Sequence, residues 1–152
     1  MSCPGYRPKQ SDLVLTGVAE THFSRTSLDV RSVAQVLQAP VMVARDWRRT
    51  VVDPRAFRCL RRMLTRGLRA NQTLVSFRTL GFPDLARYTA AYRALVAVEA
   101  AGQRLLVAAD IVLVGRGRTE LTLSLTAPAA ARAAIAAAEV RLARVLLARV
   151  RA

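Results

Sequence analysis

The chain has 152 residues, 53% of them hydrophobic, and carries a formal net charge of +14. That length suits one domain able to bury roughly two thirds of its unfolded surface, and the apolar share excludes a disordered chain. No apolar run approaches the ~18 uninterrupted residues that cross a bilayer, so an integral membrane protein is excluded for this stretch.

The opening, MSCPGYRPKQSDL, has no apolar core of ~7 to 15 residues behind a charged segment, and no secretory leader is read in it. Alternation of Leu13, Leu15 and Val18, and then of Val30, Ser32, Ala34 and Val36 against Arg31, Val33, Gln35 and Leu37, predicts two strands joined around residues 26–29. The period then changes. Val43, Trp47 and Val51 fit a helical stripe, and Asp53-Pro54 supplies an N-cap and a first-turn proline for a second helix carrying Phe57, Leu60 and Leu64. Arg48, Arg49, Arg55, Arg58, Arg61, Arg62 and Arg66 mostly fall off that stripe. They are either the hydrated side of two amphipathic helices or, at Arg48, Arg55, Arg58, Arg62 and Arg66, a candidate anion-binding face.

A short strand is predicted over residues 74–80, and Gly81-Phe82-Pro83-Asp84 punctuates it. Residues 88–99, 104–114 and 118–126 read as an antiparallel meander broken at Ala100-Ala101-Gly102 and Gly115-Arg116-Gly117. In the last run Leu121, Leu123 and Leu125 share a buried face, while Thr122, Ser124 and Thr126 turn the other way. In the middle run Asp110 lies among apolar neighbours and needs a cation, for which Arg118 or Arg93 across the sheet are the candidates. The expectation is a structural ion pair, with a ligand-binding carboxylate as the alternative. Pro128 opens a final helix that can run to Arg151, with Ala131, Ile135, Ala138, Leu142 and Val145 or Leu146 as its apolar stripe.

Catalytic and metal chemistry finds little footing. His22 is the single histidine, there is no CxxC, and no metal site is expected. A nucleophile triad would have to use His22, which reads as an ordinary polar strand residue. Gly115-Arg116-Gly117-Arg118 lies between strands and lacks the helix that gives a phosphate loop its dipole, so it reads as a hairpin. The ten acids are scattered singly, without a pair for acid-base work. Cys3 and Cys59 allow one disulfide or two unrelated thiols.

The ordered set CPGYRPKQSDLVLTGVAETHF, VRSVAQVLQAPVMVARDW, FRCLRRML, FRTLGFPDLARYTAAYRA, VAADIVLVGRGRTELTLSL and a closing basic helix resembles an exported protein family of high-GC Gram-positive-type bacteria. Its members are similar to the extracytoplasmic sensor domains of bacterial serine/threonine kinases and to PsbP-like lipoproteins. The resemblance implies a single α+β domain over residues 1–152: an antiparallel sheet of about six strands packed with two short helices and a long C-terminal helix, PsbP-like, with the helices on one face. It also implies a Cys3–Cys59 disulfide, an extracytoplasmic or secreted location with a leader upstream of this chain, and no cofactor. The function it implies is non-enzymatic binding of a small ligand, an envelope component or a protein partner.

Two alternatives belong to other classes. A helix-grip carrier or enzyme would enclose a deep cavity lined by Trp47, Tyr92, Leu121 and Leu142, with Asp110 or Arg93 inside. A cytoplasmic nucleic-acid binder would set Arg48, Arg55, Arg58, Arg62 and Arg66 on phosphates, with a steep salt dependence and no disulfide.

Overall fold

The computed structural model describes residues 3–149. Six strands form one antiparallel sheet: β1 (Leu15–Arg25), β2 (Leu28–Leu37), β3 (Gln72–Thr79), β4 (Tyr88–Ala100), β5 (Gln103–Arg116) and β6 (Thr119–Pro128), in the order β1-β2-β6-β5-β4-β3. Between β2 and β3 lie α1 (Pro40–Trp47), a π-helical turn (Arg48–Val52) and α2 (Pro54–Gly67). A 3-10 turn (Ala129–Ala131) leads into α3 (Arg132–Arg149). The last helix thus begins four residues after Pro128, and its expected continuation to Arg151 lies outside the described residues.

Local chemistry sets these boundaries. The β4–β5 hairpin turns on Ala101 and Gly102, both at positive φ (50° and 73°), which is the twist that two-residue hairpins require. Gly117, at φ 56°, opens the β5–β6 turn, so the GRGR stretch is a hairpin. Asp53 caps α2 by accepting a bond from the Arg55 amide at 2.9 Å, and Pro54 follows at the first helical position, where its missing N–H costs nothing.

The helices do not share a face of the sheet. Register pairs Ala91 with Val112 and Val114 with Leu121, and these residues pack beneath Ala143 and Leu147 of α3. The alternate positions point the opposite way: Tyr92, Ala94 and Phe77 meet Phe57, Leu60 and Leu64 of α2. Phe57 stacks on Phe77 at 4.8 Å between ring centroids. Two helical layers therefore sandwich the sheet, which corrects the one-face expectation. The physical reason is in β5, whose two faces are both largely apolar and so both need cover.

The N-terminal segment is strapped across α1 and α2. Cys3 and Cys59 are bonded at 2.01 Å with Cα atoms 5.7 Å apart, and Cys3, Tyr6, Ala56 and Cys59 form their own buried cluster. Asp12 accepts two bonds from the Arg49 guanidinium, at 2.7 and 2.9 Å, which hold its carboxyl well below the usual carboxylate range.

Candidate functional site

The β4–β5 register brings Arg93 directly opposite Asp110. Arg93 Nε and Nη2 donate to Asp110 Oδ1 and Oδ2 in a two-pronged pair, and both residues are buried, at 5% and 3% exposure. Such a fork satisfies both carboxylate oxygens in a fixed plane. Arg118 takes no part: it is exposed in the β5–β6 turn, where its carbonyl accepts from the Leu37 amide. A residue at the tip of a hairpin cannot reach Asp110, which pairs with Leu125 deep in β6. Arg93, on the adjacent strand, fills the role.

A third ionisable group closes this cluster from above. Glu139 of α3 is 1% exposed, and its Oε1 has no hydrogen-bond partner among the described residues. Burial pushes its carboxyl up to about 7; the charge of Asp110 adds to the rise and that of Arg93 opposes it. Arg93 and Glu139 line a cleft of about 550 Å³ between the first half of α3 and the segment that follows β3. Leu80, Phe82 and Pro83 form one wall, and Ala133, Ala136 and Val140 the other, with Arg132 at the rim. The space exists because alanine side chains on α3 are too short to reach the Phe82 wall. That wall is itself held: the Leu80 amide bonds the Ala91 carbonyl at 2.8 Å, and Thr89 Oγ1 accepts from the Leu85 and Ala86 amides at 3.2 Å.

Glu139 escaped the sequence reading. The expected α3 stripe meets the core at Leu142 and Leu146, which pack against it, but Ala138 is exposed, and the fully buried positions are Glu139, Ala143 and Leu147. Alanine on every side of the helix leaves its phase nearly free, and the centre of the buried stripe lies one residue later than the periodicity predicts. The available signal was the lone acid after Glu120 in an otherwise basic and apolar tail.

The four residues expected to line a helix-grip cavity are not gathered around one cavity among the described residues. Tyr92 sits in the aromatic stack with Phe57 and Phe77, while Leu121 and Leu142 belong to the core on the opposite side. Trp47 leans on Tyr88 with centroids 5.5 Å apart, and with Leu121 it lines a hollow of only about 120 Å³ that also meets Asp46 and Glu120. Burial, with the nearby Asp46 charge second, pushes Glu120 up to about 7.

The arginine-rich helices present a different surface. Arg55, Arg58, Arg62 and Arg66 follow one another at steps of three and four along α2 and are all exposed; Arg48 is exposed on the π-helical turn. Among the described residues, Arg55 alone of these five has an ion-pair partner, Asp53 at 2.7 Å. His22 meets Asp29 across the β1–β2 hairpin at 2.6 Å, in the open. No cluster of three metal-ligating side chains occurs among the described residues, and no described helix is long and apolar enough to cross a membrane.

These features define an α+β protein with an antiparallel sheet between helices and a cleft beneath α3 that holds a buried acid. No protein-family model matches the chain, and none of the curated proteins matches it. Among solved structures it is similar to a Pseudomonas aeruginosa protein of unknown function, described as a candidate regulator. The identity is 13%, over 84% of this chain and 80% of that one, with a TM-score of 0.38. Likeness at that level carries no functional argument.

Proposed function

We propose that this chain is a non-enzymatic, exported binding domain, of the sensor-like kind its sequence resembles, and that it holds a small ligand in the cleft beneath α3. The carrying observation is the buried, unpartnered Glu139 oxygen in a cleft of about 550 Å³. Ligand sites combine apolar walls with a few converging polar groups, and a buried acceptor without a donor is costly unless something else supplies one. Export is supported by the Cys3–Cys59 bond, since disulfides persist mainly in oxidising compartments.

A thermal-shift screen of small metabolites tests the reading. A ligand at about 100 times its Kd adds about 2.7 kcal/mol to stability, and the expected result is a set of stabilising compounds whose effect disappears in Ala136→Trp. Ala136 is exposed at the cleft wall, so the indole blocks the space without disturbing the sheet. No stabilising compound, or equal stabilisation of the variant, overturns the reading.

The arginine row of α2 favours a second reading, binding of a polyanion such as nucleic acid. Successive arginines at steps of three and four rise about 4.5 to 6 Å along a helix and set a row of cations on one face, as contact with a line of phosphates requires. Retention on immobilised DNA that is lost when Arg58, Arg62 and Arg66 are replaced together would favour it; retention unchanged by that replacement would reject it.

A further inference from the structure

The composition of the cleft floor says what chemistry its ligand should carry, given the binding role proposed above. Arg93 offers an incoming anion little net attraction, because the charge of its guanidinium is already balanced by Asp110, which it bonds through Nε and Nη2. That pair is neutral in sum. Glu139 is the remaining charge, and when ionised it leaves the buried group of three with one uncompensated negative charge and an oxygen lacking a donor. The other charged side chains near it are Arg132 at the rim of the cleft and Arg78, opposite Arg93 on β3; both are exposed. A primary ammonium supplies a positive charge and three N–H donors on one compact head. Leu80, Phe82, Ala133, Ala136 and Val140 offer contact to a hydrocarbon body. Arg132 would repel a second ammonium at the far end.

We infer that the cleft takes a primary monoamine with an apolar body, its ammonium group hydrogen-bonded to Glu139 and its chain lying between α3 and the Phe82 wall. Binding then requires the ionised carboxylate. Because burial pushes the Glu139 carboxyl up to about 7, the group is largely protonated at lower pH, and binding of the ammonium there expels the carboxyl proton to the buffer.

Calorimetric titration of the purified chain with hexylamine, 1-hexanol, hexanoate and 1,6-hexanediamine distinguishes the cases. Hexylamine should bind most tightly, with affinity rising about tenfold per pH unit as Glu139 ionises and levelling above about pH 7. Proton release should be visible as a dependence of the heat on buffer ionisation. Glu139→Gln should weaken hexylamine at least about tenfold and abolish the pH dependence, with unchanged circular dichroism. Ala136→Trp, which leaves Glu139 in place, should block hexylamine as well. Tighter binding of hexanol or hexanoate that Ala136→Trp still blocks overturns the amine assignment and leaves the cleft reading standing. Binding of none of the four overturns both, and hexylamine binding untouched by either substitution places the amine elsewhere and overturns the inference.

Discussion

Gly115 marks the closest approach of α1 to the sheet: a Cβ there would lie 2.9 Å from Val43 Cγ1 and 3.1 Å from Tyr88 Cβ. Val43 is fully buried, so neither neighbour can withdraw freely. Gly115→Ala should cost about 1 to 3 kcal/mol by overpacking, read as a lower urea midpoint; an unchanged midpoint contradicts that contact. Glu139 gives a residue-scale effect with a pH sign. Its carboxyl titrates at about 7 in the fold against an ordinary 4.5, so between these values the unfolded chain has lost a proton that the folded chain retains. Stability therefore falls as pH rises from about 4.5 to about 7 and is flat above, by about 3 kcal/mol at most. Glu139→Gln should lose less stability across that window than the unaltered protein, while Glu120, shifted the same way, keeps a residual slope. Equal slopes would mean that Glu139 is solvated. That Asp110 needs a cation was legible because strand alternation put a carboxylate on an apolar face, but the choice between Arg118 and Arg93 took the strand register; Glu139 was not legible, because a helix of alanines does not declare which side is inward.

At the scale of elements, the Cys3–Cys59 bond closes a loop with a sequence separation of 56. The chain-entropy argument assigns such a loop about 4 kcal/mol. Cys3→Ser with Cys59→Ser should lower the thermal midpoint markedly and release the strap that also holds Tyr6 against the Arg49 carbonyl. A thiol count on unreduced protein should find none free, and two free thiols would remove the support for export. The β4–β5 ladder offers a parallel test. Arg93→Met alone strands a buried carboxylate and should cost about 3 to 5 kcal/mol, whereas Arg93→Met with Asp110→Leu should recover most of the loss. Strand order within the meander and the Asp53-capped helix were readable from periodicity and turn chemistry. The placement of helices on both faces is not what the sequence expectation holds, although Leu106, Ala108 and Val112 alternating with Leu105, Val107 and Ile111 describe a strand apolar on each side.

For the whole molecule, the net charge of +14 and the exposed α2 arginines predict affinity for anionic surfaces that weakens steeply with salt. Composition made that much legible, but it could not separate a hydrated face from a recognising one, since exposed arginines look alike in either role. The cleft beneath α3 is a different kind of feature, assembled from β4, α3 with the turn before it, and the segment after β3, none of which is informative alone. Its meaning rests on the ionisation of a single buried acid. The direct measurement is a carbon-13 NMR titration of the Glu139 side-chain carboxyl in the ligand-free protein. A midpoint near 7 is expected, moving downward when hexylamine is added; a midpoint at the ordinary 4.5, unmoved by the amine, would contradict the account.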